Sequence, residues 1–169
     1  MKALMLAADG FEDSELLYPY YRLREEGIEV DIAAPAKASI MGKHGYTVEA
    51  NMAFLDANPE EYDLLVLPGG KAPETVRLDK MAVSLTQVLF NAERPVAAIC
   101  HGAQTLISAG VMRDRRATCW PGIRDDLKAA GADYVDEEVV VDENLITSRC
   151  PNDLPAFCRE IFRVLKGKS

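Results

Sequence analysis

Short apolar runs recur along this chain, each followed by a stretch with helical spacing, and this alternation limits the fold more than anything else in the sequence. Leu64-Leu65-Val66-Leu67 and Val96-Ala97-Ala98-Ile99 read as strands buried on both faces, the kind found in parallel sheets covered by helices. Ala3 to Ala8 and Ile28 to Ala34 read as two more strands. Between those two, Glu12 to Glu26 carries Leu16, Leu17, Tyr20 and Leu23 at helical spacing, and Gly27 ends it. Pro19 lies inside this pattern and should kink the helix or loosen its first turns. Further helices are expected around Lys80 to Ala92, from His101 to Ala109, around Ile123 to Ala130, and from Leu154 to Leu165, the last capped by Asn152 or Asp153. Lys37 to Ala53 has a weaker pattern, in which Gly42-Lys43-His44-Gly45 reads as the turn of a hairpin. Ala117 to Trp120 is a short strand, and Glu138 to Val141 pairs with Leu145 to Ser148. The reading is a doubly wound α/β domain spanning residues 1–169, with a mostly parallel sheet sandwiched by helices and a small β-hairpin extension.

A chain of 169 residues can bury a core without staples, and its composition excludes several classes of function. The four cysteines, Cys100, Cys119, Cys150 and Cys158, form no C-x-x-C pair, and with two histidines no zinc-type spacing can be assembled, so no metal or other cofactor is expected. A reduced, cytoplasmic setting fits them. A net charge of -8 opposes nucleic-acid binding, which needs concentrated basic surface. No run approaches 18 apolar residues, so no membrane association is expected, and Met1 to Ala8 reads as a strand rather than a leader. Small molecules and further copies of the chain are the expected partners.

The chemistry centres on Ala98-Ile99-Cys100-His101-Gly102, where a buried strand meets a helix. A sharp strand-to-helix elbow needs small residues two positions either side of the nucleophile, and Ala98 and Gly102 supply them. At the helix amino end, free N–H groups and the helix dipole favour a Cys100 thiolate. In an open parallel sheet, ligands bind beyond the carboxyl ends of the strands where the order reverses. Three loops compete for that place: Asp9-Gly10-Phe11-Glu12, Pro68-Gly69-Gly70-Lys71 and the elbow.

Glu12, clustered with Asp13 and Glu15, has two readings. It complements a helix dipole in solvent, or it points at the thiol, keeps its proton through partial desolvation and hydrogen-bonds to the thiolate. Gly69 and Gly70 either end a strand or bring backbone N–H groups to a substrate carbonyl, completing an oxyanion site with the His101 amide. His44 lies in a turn where a solvated position is expected, so any cysteine–histidine mechanism must use His101. Glu74 is the candidate carboxylate to orient it, although Pro73-Glu74 also suits a first helical turn.

Taken with Phe11-Glu12-Asp13, Gly42-Lys43-His44-Gly45-Tyr46, Leu67-Pro68-Gly69-Gly70, Ala72-Pro73-Glu74, Pro121-Gly122-Ile123 and Glu138-Val139-Val140-Val141-Asp142, the elbow resembles the PfpI-type intracellular peptidases and deglycases of the class I glutamine amidotransferase-like superfamily. The resemblance covers the whole chain and implies a flavodoxin-like sheet with a nucleophile elbow. It also implies that Cys100 is the nucleophile, His101 its partner, Glu12 the glutamate contacting the thiol, and Glu74 a contribution from a neighbouring subunit. Self-association follows from it, commonly as a dimer-based hexamer. The implied activities are cleavage of small peptides and hydrolysis of glyoxal or methylglyoxal adducts. The sequence departs from the family pattern at Ala103, which loosens the elbow helix, at Trp120 in place of a tyrosine near the site, and at Cys150, a second oxidisable thiol. A stress-linked redox sensor built on Cys100 oxidation is the alternative. A glutaminase-type subunit is disfavoured, because no histidine follows His101.

Overall fold

The computed structural model describes residues 1–167. The elements in chain order are β1 (Lys2–Leu6), α1 (Asp13–Glu25), β2 (Glu29–Ala34), β3 (Ser39–Met41), β4 (Thr47–Glu49), β5 (Met52–Ala53), β6 (Leu64–Leu67), α2 (Ala72–Val76), α3 (Lys80–Asn91), β7 (Val96–Ile99), α4 (Ala103–Ser108), β8 (Arg116–Ala117), α5 (Arg124–Ala129), β9 (Asp133–Tyr134), β10 (Val140–Asp142), β11 (Leu145–Ser148) and α6 (Leu154–Gly167). The central sheet has seven strands in the order β10-β11-β7-β6-β1-β2-β5, parallel throughout except for β10 against β11. The four residues of β6 and of β7 are all buried, as strands with helices on both faces must be. α1 packs against β2 and α6, and α6 against β11, while α3 packs against β6, β7 and α4. Among the described residues, no helix is long and apolar enough to cross a membrane.

Strand order reverses between β1 and β6. The chain winds outward from β1 through β2 to β5, then returns to β6 on the other side of β1. The loops after β1, β6 and β7 therefore lie side by side, and backbone hydrogen bonds tie the first two together. Glu12 N–H donates to Gly69 O at 3.1 Å, and Lys71 N–H to Gly10 O at 2.8 Å. Gly70 has a φ of 82°, and a Cβ there would stand 2.4 Å from both Glu12 N and Gly10 O, so only glycine fits the junction.

Several local features differ from expectation. The hairpin β3–β4 forms around Gly42 to Gly45, but the chain then adds β5 as an edge strand, and the five-residue helix α2 follows the Gly69-Gly70 turn. Both are too short to carry a periodic signal. β8 stops at Ala117 and pairs with β9 in a two-stranded sheet of its own. α1 runs unbroken through Pro19: its first-turn N–H groups of Glu15 and Leu16 both bond to Glu12 O, at 3.0 and 3.2 Å. The hydrogen bond that proline cannot donate is the one to the Glu15 carbonyl, and the ring is buried on the core side of the helix. Asp153 directs its carboxylate to the Arg149 guanidinium and N–H instead of serving as a helix cap.

Gly102 sits where the elbow crosses β6, and a Cβ there would stand 2.1 Å from Leu67 O and 3.3 Å from Pro68 O, both backbone atoms that cannot swing aside. Gly102→Ala is therefore expected to cost about 2–3 kcal/mol of stability in chemical denaturation. Gly110→Ala, strained by a φ of 70° but with nothing within 4 Å of its Cβ, is expected to cost only about 1 kcal/mol.

Candidate active site

Cys100 terminates β7 with a φ of 60°, a left-handed conformation that a side-chain-bearing residue adopts only when its surroundings impose it. A single 3-10 turn, Cys100–Gly102, leads into α4, and Trp120 N–H closes the turn by bonding to Cys100 O at 3.2 Å. The sulfur is left facing the junction of the three loops, 92% of the residue being covered from solvent at 8% exposure. His101 Nδ1 lies 3.3 Å from it. The backbone N–H groups of Gly70 and His101, expected to bind a substrate oxygen, lie close enough to the sulfur to lower its pKa. Both favour the thiolate.

The carboxyl beside the thiol belongs to Glu15, not Glu12. Glu15 is fully buried, accepts the Gly69 N–H at 2.8 Å through Oε2, and leaves Oε1 without a partner, close enough to Cys100 for each group to shift the other's pKa. Burial pushes its pKa up to about 8, so the group stays protonated at neutral pH, which the Gly69 N–H only partly opposes. Burial also raises the Cys100 thiol, and Glu15 adds to that rise when charged. The two groups are coupled, the charge of either one opposing ionisation of the other.

Glu12 instead forms an ion pair with Lys43, Oε2 to Nζ 2.6 Å, and its Oε1 lies 3.4 Å from His44 Nε2. Burial alone would raise this carboxyl, but the Lys43 hydrogen bond and the charges of Lys43 and His44 hold it below its ordinary value. The expected neutral Glu12 is thus replaced by a charged one. The reason lies in helical phase: Glu12 precedes the first residue of α1, whereas Glu15 shares the i, i+4 stripe of Pro19 and Leu23 that faces the core. That stripe was the signal available in the sequence.

Around the sulfur lies a cavity of about 490 Å³ lined by Glu12, Lys43, Gly70, Glu74, His101 and Trp120, with Glu15 and Cys100 at its base and Lys71 and Pro151 at its edge. Gly69 lies beneath, its N–H taken by Glu15. The Trp120 indole, 41% exposed, stacks on the His101 ring at 6.0 Å between centroids and 27° between planes. Burial, then the Lys43 charge, hold the imidazole below its ordinary pKa, and Glu74 opposes them. His101 is therefore neutral at physiological pH. Glu74 is exposed on α2 and lines the cavity of its own chain. Cys150 is half-buried beside Pro151, while Cys119 and Cys158 are buried.

The profile of the DJ-1/PfpI family matches residues 1–164. The chain belongs to the DJ-1/PfpI family. It is 57% identical over 166 residues to a deglycase of Pyrococcus abyssi, covering 98% of this chain and 100% of the relative. It is 45% identical over 167 residues to protein/nucleic acid deglycase 2 of Escherichia coli, covering 97% of each chain. Among solved structures, a two-domain protein of Anabaena variabilis with DJ-1/ThiJ/PfpI-like and ferritin-like domains superposes with a TM-score of 0.96 at 37% identity. That match takes in 98% of this chain and 50% of the longer protein. The seven-stranded sheet is thus the DJ-1/PfpI flavodoxin-like fold, with Cys100 at its elbow.

If Glu15 is neutral while Cys100 is ionised, Glu15→Gln removes an O–H donor without relieving any repulsion. The apparent pKa of Cys100 alkylation by iodoacetamide should then rise by about one unit, the worth of roughly one hydrogen bond to a charged group. A fall would show that Glu15 is charged beside the sulfur.

Proposed function

We propose that this DJ-1/PfpI chain is a cysteine-dependent hydrolase of early glyoxal and methylglyoxal adducts, a deglycase, with Cys100 as its nucleophile. The observation that carries this reading is the pairing, at the base of a cavity open to solvent, of an elbow cysteine at positive φ with a carboxyl kept neutral at pH 7. A cavity of about 490 Å³ suits a two- or three-carbon carbonyl unit better than an extended peptide, which needs a groove. The deglycase names of the Pyrococcus and Escherichia relatives support the same choice.

In this reading the Cys100 thiolate forms a C–S bond to the hemiaminal carbon as its C–N bond breaks, and the amine leaves with the Glu15 proton. The Glu15 carboxylate then moves the proton from that carbon to the neighbouring carbonyl carbon, turning the hemithioacetal into a 2-hydroxy thioester. Water adds to the thioester carbonyl, the Gly70 and His101 N–H groups hold the oxyanion, and collapse expels the Cys100 thiolate. Glu15 recovers its proton as the thiolate is released. His101, neutral and 3.3 Å from the sulfur, accepts a proton from the attacking water. Overall, adduct and water give the free amine and a 2-hydroxy acid, lactate from methylglyoxal. Trp120 stacks on the imidazole and fixes its plane; its indole N–H can only donate, so it takes no part as a base.

Copies of the chain self-associate in this reading, as a dimer-based hexamer. Leu78 on the segment after α2, with Met81 and Val88 on α3, forms exposed apolar surface that a second copy would cover. A second reading, oxidation of Cys100 to a sulfinate in a stress response, draws on the same neutral Glu15, whose proton would bond to the sulfinate oxygen.

Lactate release from methylglyoxal-treated N-acetyl-arginine and N-acetyl-lysine tests the hydrolase. Cys100→Ser should lower the rate by a factor on the order of 10³ or more. Equal rates in the two proteins would leave oxidation of Cys100 as the reading to pursue.

A further inference from the structure

The hairpin β3–β4 decorates the sheet without joining it, yet its turn enters the cavity. Lys43 N–H donates to Phe11 O at 2.9 Å, His44 N–H to Asp13 Oδ2 at 2.9 Å, and Gly10 N–H to Met41 O at 2.8 Å. Gly42 lies so close to Asp13 that a Cβ there would stand 1.5 Å from Oδ1. The turn is therefore fixed from both sides by the loop after β1 and the start of α1. Its one charge inside the cavity is the Lys43 ammonium, anchored by Glu12 at 2.6 Å.

The two ends of this ion pair do not face the chemistry equally. The Lys43 charge acts on His101, and those of Cys100 and Glu15 act on Lys43; the Glu12 carboxylate is bonded to Lys43 and Ser14, lies near His44, and acts at a distance on Glu15. Glu12 is almost covered, its side chain 9% exposed, while that of Lys43 is 43% exposed. A substrate in the cavity thus meets the ammonium before the carboxylate.

We propose that Lys43 is a specificity residue: its ammonium, placed by the hairpin turn, selects carbonyl compounds that carry a carboxylate beside the reacting carbon, and Glu12 is its positioning residue. Two- and three-carbon oxo acids and their amine adducts are the substrate class this favours over uncharged aldehydes. Hydrolysis of an oxo-acid adduct returns the amine and the oxo acid, and the same charge would hold the carboxylate of the 2-hydroxy acid that forms from a dicarbonyl adduct. The inference rests on Cys100 being the reactive nucleophile.

A pair of alkylating reagents tests it without turnover. Iodoacetate and iodoacetamide both form an S–CH2 bond as iodide leaves, but only the first carries a carboxylate. Their rate ratio at Cys100, followed by peptide mass spectrometry and normalised to N-acetylcysteinamide, cancels the thiolate fraction at any one pH. In the intact protein the normalised ratio should exceed one and decline with added salt. Lys43→Gln should lower it about five- to tenfold, Lys43→Arg should keep it within about twofold, and Glu12→Gln, which frees the ammonium, should raise it. An unchanged ratio in Lys43→Gln would overturn the proposal, as would an equal loss in Lys43→Arg, which would trace the effect to a displaced hairpin. If iodoacetamide itself failed to label Cys100 faster than Cys119 or Cys158, the nucleophile reading would fall, and this one with it.

Discussion

The Glu15 carboxyl and the Cys100 sulfur meet in a space that exists only because Gly69 has no side chain. A Cβ at that position would stand 2.3 Å from Glu15 Oε2 and 2.8 Å from Cys100 Cβ. The contact joins the first turn of α1, the loop after β6 and the end of β7, so it depends on β7, β6 and β1 being neighbours in the sheet. A parallel sheet with a reversal at β1 and β6 brings three strand ends together without any long loop. The all-apolar β6 and β7 keep water from the underside of the site, and this burial is the first cause of the raised pKa of both partners.

Much of this architecture is legible in the sequence because its signals are local. The elbow needs Ala98 and Gly102 around Cys100, and the apolar runs fix which segments become inner strands. Choosing between Glu12 and Glu15 required helical phase as well as position, since either could serve the helix dipole. Only the stripe through Pro19 and Leu23 turns Glu15 inward, and a proline that suggests a kink obscures that stripe. Lys43 is a different case. It lies 31 residues from Glu12, and nothing near either residue marks the pair; the hairpin's docking against Asp13 and Phe11 creates it. β5 and α2, with two and five residues, escape detection because they complete less than one period or little more.

The site separates two carboxyl groups three residues apart into different chemical states by giving them different neighbours. Glu15 has no cation within hydrogen-bonding reach and one backbone donor, so it keeps its proton; Glu12 has Lys43, with His44 close by, so it loses it. Exchanging the two environments would place a charged carboxylate against the sulfur, where it would repel the thiolate. Pushing apart the pKa values of paired acids is a general way to make one fold hold both a proton donor and a fixed charge.

His101 stands between these groups, and its charge state depends on which neighbour prevails. Burial and the Lys43 ammonium keep it neutral, while Glu74 on α2 pulls toward the imidazolium. Lys43 and Glu74 reach the ring from separate elements, the hairpin and α2, neither of which is part of the central sheet. The sheet therefore sets where the nucleophile stands, and these two peripheral elements set the electrostatic field in which it works. Substitutions in the hairpin or α2 can retune the chemistry without disturbing the core, because the core side chains under Cys100 make no ion pair with either.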